Sequence, residues 1–395
     1  MFKLVRKDKG RAMRRVCVLG VGDGGSRAVD GVLGGNSGEC TIAVINTDPA
    51  ALAASRAVTK VQIGKQDGDM AGTGGDPLVG KVAAEHDLEM IRGLFTDCDA
   101  LILATGLGGG TGTGATPVLL DAARAAGVMT VAVATMPFLF EGQARRATAQ
   151  AGLQAITAAA DFVCVIDNDR LFAGAGAEGD LAAAFARADE ALAGGICSLW
   201  LMLTQPMMIS VDPGAFMALA AKGSGICRFG FGTASGTGRA HAAAKALKEG
   251  PVFEQGEALR ASGAALLCIC GSHDITLQEV GDLVGEISAS LPEDADLQIA
   301  TVINEAWRNR IFAAVWLADR RRTVTPVARP GTRSVASAAT TSKPGTKSTK
   351  PAQEELKFDI TGATRGRFNN MTATILDGED LDTPTYKRRG IELEK

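Results

Sequence analysis

Residues 100–117 read ALILATGLGGGTGTGATP, and they indicate how the chain folds. The apolar run at 100–105 has the composition of a buried strand, and it leads into a loop in which five of the seven residues 108–114 are glycine and two are threonine. Glycine lets the backbone wrap closely around an anion such as phosphate, while hydroxyl groups and the N-terminus of a following helix add hydrogen-bond donors. We expect that helix to begin near residues 115–117, because proline suits the first turn of a helix.

Similar apolar runs occur on both sides of this strand, each separated from the next by an alanine-rich helical stretch. Their sequences are VCVLG, TIAVIN, TVAVAT and FVCVID. The alternation predicts an α/β fold with a doubly wound parallel sheet, which we assign to a domain of residues 16–179. Ligands of such sheets bind beyond the carboxyl ends of the strands, where the loops of this chain are rich in glycine.

A second, smaller α/β domain is predicted over residues 222–319. Between the two domains lies a long helical segment, residues 180–204, whose second half is apolar nearly all round and is therefore expected to be buried. Residues 205–221 form a loop and connection. The later strand candidates are ICRFGFG, AALLCIC, DLQIATVI and IFAAVWLA, and helical patterns occur at 238–248 and 277–291.

The two ends of the chain have a different composition. Residues 1–15 are a basic extension, and residues 320–353 contain eight Lys or Arg and no acidic residue. Such a segment cannot bury enough apolar surface to fold, so we interpret 320–377 as a disordered linker. In residues 378–395 apolar and charged side chains are closely interleaved, which indicates a peptide that becomes ordered on a partner.

The overall composition excludes several classes of protein. Lys plus Arg total 41 and Asp plus Glu 44, so the net charge of -3 gives no general attraction to nucleic acid or anionic membrane. None of the eight cysteines forms a CxxC pair or a cluster with the spacing of metal ligands, so no metal-binding residues are assigned. No apolar stretch approaches the roughly 18 residues of a membrane-spanning helix, and we expect a cytoplasmic protein.

A first glycine-rich loop, GVGDGG at residues 20–25, follows the first predicted strand. It satisfies the GxGxxG pattern of dinucleotide sites, and Asp48 follows the second strand at about the place of a ribose-binding acid. Taken alone, this loop is compatible with a Rossmann-type oxidoreductase that uses NAD. A dinucleotide fold does not need the second glycine loop at 108–114, however. That loop lacks the GK[ST] ending of a P-loop, so amides, hydroxyls and a bound cation must meet the phosphate charge.

The sequence GGGTGTG directly after a strand resembles the signature of the tubulin/FtsZ family, and in particular its bacterial FtsZ branch. Other segments are similar to further nucleotide loops of the family, namely 43–48 (AVINTD), 71–80 (AGTGGDPLVG), 137–146 (PFLFEGQARR) and 166–172 (IDNDRLF). The resemblance covers roughly residues 16–319. It implies a GTPase that binds GTP or GDP, with Mg²⁺ on the phosphates, and polymerises head to tail into the filaments of the cell-division (Z) ring.

Carried over position by position, the resemblance assigns GTP contacts to both glycine loops and to the segments named above. The residues are Gly22, Asp23, Gly24, Gly25, Ser26, Arg27, Asn46, Asp48, Gly72, Thr73, Gly74, Gly108, Gly109, Gly110, Thr111, Gly112, Thr113, Gly114, Glu141, Arg145, Asn168, Phe185 and Asp189. Asp189 is implied to pair with guanine, on which Phe185 stacks. A carboxylate can accept from the N1–H and exocyclic amine of guanine, whereas adenine offers no such donor pair, so GTP is predicted over ATP.

Residue type alone leaves plainer interpretations open for several of these positions. Glu141 and Arg145 are equally well a surface ion pair, and an aromatic residue such as Phe185 on an alanine-rich helix is more often a core residue. Asp23 stands where the family has glycine and Arg27 where it has asparagine. Asp23 either repels phosphate or helps to hold a cation, and reduced affinity for the nucleotide is one consequence.

The clearest departure from the family lies after the long helix. The family's NxDxxD loop, which completes the active site of the neighbouring subunit, here reads SVDPGA at residues 210–215. Asp212 keeps the first carboxylate as the catalytic residue, or it only caps a turn beside proline. Ser210 replaces the asparagine and Ala215 the second carboxylate, so we expect slow hydrolysis. A filament protein that binds nucleotide without significant hydrolysis is the alternative.

The resemblance also implies partners and a location. The protein would assemble with copies of itself at the division site beneath the inner membrane. Residues 381–389, LDTPTYKRR, are similar to the family's C-terminal peptide, so residues 378–392 would bind membrane-tethering and regulatory proteins. Contact with the membrane would therefore be indirect, and no specific nucleic acid is expected.

Overall fold

The computed structural model describes most of the first 319 residues and two short pieces near the C-terminus. The described residues are 15–32, 40–65, 72–173, 181–205, 207–211, 214–215, 218–219, 226–319, 375–376 and 379–380. The predictions made for Asp212, for residues 1–14 and for nearly all of 320–395 lie outside them. The chain divides into two units, Met1–Thr325 and Pro326–Lys395. In the second unit, Ile375–Leu376 pairs antiparallel with Glu379–Asp380.

The first half of the chain forms the predicted doubly wound parallel sheet. Its strands are β1 (Val16–Val21), β2 (Cys40–Asn46), β3 (Thr59–Gln62), β4 (Ala100–Gly106), β5 (Met129–Met136) and β6 (Phe162–Asp167). They lie in the order β3-β2-β1-β4-β5-β6, and all the pairings are parallel. The helices are α1 (Gly22–Val32), α2 (Pro49–Ala54), α3 (Pro77–His86), α4 (Leu88–Arg92), α5 (Gly110–Ala125), α6 (Gln143–Ala159), α7 (Asn168–Ala173) and α8 (Leu181–Thr204).

The strand order places the ligand crevice. The chain moves outward in one direction from β1 to β3 and in the other from β4 to β6, so the order reverses between β1 and β4. In open α/β sheets the crevice at such a switch point, beyond the carboxyl ends of the strands, is where ligands bind. Because β1 and β4 are direct neighbours, the two glycine loops that follow them emerge side by side.

The second half of the chain extends the same sheet. Its strands are β7 (Met207–Ile209), β8 (Ile226–Ser235), β9 (Ser262–Gly271), β10 (Asp296–Ile303) and β11 (Arg310–Asp319), with helices α9 (Arg239–Glu249), α10 (Glu257–Ala261) and α11 (Leu277–Ser288). The order continues as β6-β8-β11-β9-β10-β7. β9 and β10 are parallel, whereas β11 is antiparallel to both of its neighbours. Among the described residues, the halves join through two register pairs between β6 and β8.

Alternating side chains of the central strands supply two apolar layers. On β1, Val16 and Val18 pack into the layer that contains α8, and Leu19 packs into the layer on the opposite face. This is the period of two expected of a strand covered on both faces. The second half of α8 is buried as predicted, which secures the long helix against the sheet.

Some boundaries differ from the prediction. α5 begins at Gly110, so the expected start near 115–117 is wrong, and Pro117 lies inside the helix. The glycines adopt helical backbone angles at no steric cost, while Pro117 forfeits only the backbone bond to the carbonyl of Thr113. The short strands β3 and β7 were not predicted, because TKVQ and MMI are too short to show a period. In the described part of the chain, no helix is long and apolar enough to cross a membrane.

Candidate functional site

A cleft of about 600 Å³ opens at the switch point of the sheet. One wall is the turn after β1, including Gly22 and Gly24, and the floor is the glycine loop from Gly106 to Gly112. Two helices, α1 and α5, begin at these turns. The first N–H groups of a helix have no partner within it, and the helix dipole adds a partial positive charge. This end of the cleft is therefore suited to a phosphate group.

The glycine loop is held open by a small set of hydrogen bonds. Gly108 has a φ of 95°, a region that favours glycine, and its N–H donates to the hydroxyl of Thr113 at 2.9 Å. The N–H of Leu107 donates to the carbonyl of Thr135 on the neighbouring strand, also at 2.9 Å. The hydroxyl groups of Thr47 and Thr111 lie 2.7 Å apart and tie the loop to the end of β2. The loop is thus shaped before any ligand enters.

Polar side chains after β1 and β2 form a second network beside the phosphate end. The amide of Asn46 donates to the carboxylate of Asp23 at 2.7 Å, and its own Oδ1 accepts from the N–H of Asp48 at 3.2 Å. Asp48 also caps α2, because its side chain accepts from the N–H of Ala50 at 2.8 Å. The carboxylate of Asp23 therefore faces a donor, which reduces its repulsion of a nearby anion.

The loop before α3 closes directly on the glycine loop. Asp76 caps α3, accepting from the N–H of Leu78 at 2.8 Å, and Pro77 occupies the first turn. A Cβ atom at Gly110 would lie 2.0 Å from the hydroxyl of Thr73. Such close contact requires glycine, and it couples the position of this loop to that of the phosphate end of the cleft.

The middle of the cleft is lined by a turn held by carboxylates. Glu141 accepts from the N–H of Phe138 at 2.8 Å, and its other oxygen lies 3.1 Å from a guanidinium nitrogen of Arg145. Asp169 accepts from the N–H of Leu139 at 2.8 Å and from Arg146 at 2.6 Å, which raises the pKa of Arg146. Asp169 and Arg146 were not among the predicted residues, and neither lines the cleft.

The far end of the cleft is lined by a buried amide, an aromatic ring and a carboxylate. Asn168 is only 5% exposed, and its Oδ1 has no hydrogen-bond partner among the described residues. Phe185 meets Phe138 edge to face, with the ring centroids 5.2 Å apart. Asp189 is partly buried, and its Oδ2 accepts from Nε of Arg27 at 2.8 Å. Burial raises the pKa of Asp189, while the guanidinium opposes that shift.

Two family models match the chain, one described as the Tubulin/FtsZ family GTPase domain over residues 15–176 and one as the FtsZ family C-terminal domain over residues 225–319. Cell division protein FtsZ 2 of Rhizobium meliloti is 33% identical over 316 residues, which cover 80% of this chain and 91% of that protein. The chain belongs to the tubulin/FtsZ family. Cell division protein FtsZ of Pseudomonas aeruginosa is 34% identical over 80% of this chain and 79% of its own length.

Two solved structures share the architecture. An FtsZ dimer of M. jannaschii superposes with a TM-score of 0.69 and 29% identity over 79% of this chain and 89% of that chain. A GTPγS-bound protofilament of CetZ2 from Haloferax volcanii gives 0.61 over 78% of this chain and 94% of its own. At 22% identity this second likeness concerns the fold alone. The family match favours a GTPase over the Rossmann-type oxidoreductase that the first glycine loop left open.

Nearly all of the described residues that the tubulin/FtsZ resemblance assigned to the nucleotide line this one cleft. The exceptions are Gly25, Ser26, Thr113 and Gly114, which lie behind the loops and support them. A Cβ atom at Gly25 would lie 2.2 Å from the carbonyl oxygen of Ala104, and Ser26 donates to the carbonyl of Gly22 at 2.8 Å. The cleft also contains residues that the prediction left out, namely Thr47, Gly75, Gly106, Leu107, Thr135, Pro137, Ala144, Thr148 and Ala188.

The described residues of the loop that the resemblance matches to the family's catalytic loop do not line the cleft. Ser210 follows β7, the edge strand beside β10, and it does not line the cleft. Ala215 is buried against the second half of the sheet, and Asp212 lies outside the described residues. No group of three or more His, Cys, Asp or Glu side chains in the described part is placed to hold a metal ion.

Proposed function

We propose that the cleft is the GTP site of a filament-forming GTPase of cell division. The observation that carries this proposal is the distribution of polarity along a single cleft. Backbone N–H groups of two glycine turns and two helix N-termini lie at one end, which suits phosphates. The unpaired Oδ1 of the buried Asn168 and the carboxylate of Asp189 lie at the other, which suits a base. Buried polar atoms without partners are uncommon and costly unless a ligand satisfies them.

The base end favours guanine over adenine. A carboxylate accepts hydrogen bonds only, so Asp189 requires donors on the facing edge of the base. Guanine presents two adjacent donors there, N1–H and the exocyclic amine, whereas adenine presents an acceptor at N1. In the middle of the cleft, Glu141 and Arg145 are both placed to meet a sugar and its attached phosphate, so their ion pair and a ligand contact are compatible.

Self-assembly is supported by the way in which the described carboxylates of the cleft are bonded. The carboxylates in the cleft are all engaged, because Asp23 accepts from Asn46, Asp48 caps α2 and Glu141 pairs with Arg145. In our proposal the second oxygens of Asp23 and Asp48 face the bound cation, so the base for water comes from outside the cleft. A carboxylate from a second copy, Asp212 in our proposal, would supply that group, and a head-to-tail filament would bring it there. With Ser210 and Ala215 beside it, hydrolysis is expected to be slow.

A magnesium ion on the phosphates fits the oxygen groups at this end. Mg²⁺ prefers oxygen ligands and retains several waters, so a few protein groups suffice. Asp23 and Asp48 each use one carboxylate oxygen internally, and the threonine hydroxyls of the loop lie nearby. Bound there, the ion would neutralise charge on the phosphates. The residues of this chain would orient it and hold the triphosphate in the glycine turns.

The C-terminal segment and the cellular location complete the proposal. The segment 378–392 would bind membrane-tethering and regulatory proteins, which would hold the filament at the division site beneath the inner membrane. Support comes from the similarity of residues 381–389 to the family's terminal peptide.

The test is to incubate the purified chain with Mg²⁺ and GTP, GDP, ATP or NAD while following light scattering and phosphate release. GTP-dependent scattering with phosphate release supports the proposal, and scattering without phosphate supports a filament that does not hydrolyse. Binding of NAD alone contradicts both. Asp189→Ala should weaken GTP binding by at least about tenfold, whereas Glu190→Ala, an exposed carboxylate on the same helix, should not.

A further inference from the structure

The ion pair between Arg27 and Asp189 joins residues from two different helices at the base end of the cleft. Arg27 comes from α1 and Asp189 from α8, and both side chains line the cleft. Nε of Arg27 donates to Oδ2 of Asp189 at 2.8 Å. The side chain of Asp189 is 24% exposed, whereas that of Arg27 is 50% exposed, so the guanidinium lies on the open side of the pair.

The pair leaves several hydrogen-bonding groups free. A guanidinium has five N–H donors, and the contact with Asp189 uses only the one on Nε. Among the described residues Arg27 makes no other hydrogen bond or ion pair. The second oxygen of Asp189 likewise has no other partner there. The pair therefore presents carboxylate acceptors beside guanidinium donors on one wall of the cleft.

This pattern is complementary to one edge of guanine. That edge carries, in order, the exocyclic amine on C2, the N1–H and the carbonyl oxygen O6, which are two donors followed by an acceptor. Arginine donating to O6 is also a frequent contact between proteins and guanine in DNA. We infer that Arg27 is a specificity-determining residue that donates to O6 of the nucleotide while Asp189 accepts from N1–H and the amine.

The inference rests on the proposed GTP site and adds Arg27 as a second residue that recognises the base. With the carboxylate alone, the site senses only positions 1 and 2 of the purine. With Arg27, it also requires an acceptor at position 6, and an amino group there would face guanidinium donors. Because the pair is formed before the nucleotide arrives, the carboxylate is held in place by the guanidinium.

The experiment compares equilibrium binding of three nucleotides to the full-length chain. They are GTP, 6-thio-GTP, in which a weakly accepting sulfur replaces O6, and ITP, which lacks the exocyclic amine. The unaltered chain should bind GTP at least about tenfold more tightly than either analogue, the size of one hydrogen bond to a charged group. Arg27→Ala should bring the GTP to 6-thio-GTP ratio to within about twofold of one while leaving the GTP to ITP ratio in place.

Two further variants make the result decisive. Asp189→Ala should abolish the GTP to ITP preference, and Arg187→Ala, which removes an exposed arginine of the same helix outside the cleft, should change neither ratio. The inference is overturned if Arg27→Ala keeps the preference against 6-thio-GTP, loses the preference against ITP instead, or binds GTP more tightly. If the unaltered chain binds GTP but the substitutions leave these affinity ratios unchanged, the inference about Arg27 is wrong and the proposed GTP site still stands. Absence of binding to all three nucleotides overturns the GTP site itself.

Discussion

Ala215 stands where a second catalytic carboxylate is expected from the family pattern. We expect Ala215→Asp to raise the rate of phosphate release from filaments by at least about tenfold, because a positioned base contributes this much or more to such a step. The measurement is phosphate release per polymerised subunit, with the polymer followed separately by sedimentation.

The surroundings of Ala215 determine which control variant Ala215→Asp needs. Ala215 is buried and lines a small hollow together with Asp296, so a carboxylate introduced there also brings repulsion and a loss of stability. Ala215→Asn introduces the same bulk without the charge, and it should lower thermal stability without raising phosphate release. Equal rates for the aspartate and asparagine variants would show that our interpretation of the altered loop is wrong.

Contacts between α3 and α5 depend on glycine at several positions. A Cβ atom at Gly80 would lie 2.4 Å from the carbonyl oxygen of Gly110, so the two backbones touch directly. We expect Gly80→Ala to lower the free energy of unfolding by about 1–3 kcal/mol, the usual cost of overpacking. It should also weaken GTP binding, because it displaces α3 and the loop before it from the phosphate end.

Gly281 in α11 provides the matched control for that substitution. A Cβ atom there would meet nothing within 4 Å. Gly281→Ala should therefore stabilise the protein, by up to about 1 kcal/mol, through its higher helix propensity. Chemical denaturation of both variants, with GTP titrations alongside, checks the pair. Unchanged stability and binding in Gly80→Ala would mean that the two helices can move apart freely.

α9 and α11 are joined by one buried guanidinium. Arg239 is 5% exposed and donates to Glu279 at 2.7 Å and to Asp274 at 2.8 Å. The guanidinium lowers the pKa of both carboxyl groups. We expect Arg239→Ala to lower the free energy of unfolding near neutral pH, because it removes the buried guanidinium to which both carboxylates are bonded.

The contribution of Arg239, Asp274 and Glu279 to the free energy of unfolding should decrease at low pH. Because the folded pKa values of Asp274 and Glu279 lie below the unfolded ones, the stabilisation is complete above the ordinary carboxyl range of about 4. It is lost as the pH falls through the lowered folded values. Urea denaturation of the unaltered and Arg239→Ala chains at several pH values should give a difference that shrinks below about pH 4. A constant difference would contradict this account.

The whole chain combines one continuous sheet with a long C-terminal segment. In the described part of the chain the two halves of the sheet meet at two register pairs. Aromatic packing reinforces the junction, with Trp316 5.6 Å from Phe162 and 4.5 Å from Phe229 between ring centroids. The cleft and β7 both belong to the unit Met1–Thr325. Nucleotide binding and assembly should therefore be properties of that unit.

Truncation after Thr325 tests whether nucleotide binding and assembly are properties of the unit Met1–Thr325 alone. The truncated chain should bind GTP within about twofold of the full-length affinity and should still scatter light when GTP is added. It should no longer recruit the proposed tethering partners in cells, which fluorescence microscopy of division sites would reveal. If truncation abolishes GTP binding, the C-terminal segment contributes to the site and the proposed arrangement is wrong.

Local patterns in the sequence determined much of this protein. The short apolar runs, alternating with helical stretches, predicted the strands of the parallel sheet, and the glycine loops at 20–25 and 108–114 identified the edge where the cleft lies. Both predictions were correct because strand formation and glycine turns depend on residues that are adjacent in the sequence. The start of α5 at Gly110 was not predicted. Proline was expected in the first turn of the helix, whereas Pro117 lies inside a helix whose first turn packs on other loops.

Only the tertiary structure decided which distant residues meet. Arg27 and Asp189 are 162 positions apart, and nothing in either neighbourhood indicates their ion pair. The support of the cleft by Asp169 and Arg146, and the place of Gly25 behind the loop, likewise follow from the order of strands and the packing of helices. Contacts of this kind depend on how whole elements are arranged in space, and a local pattern carries no information about that arrangement.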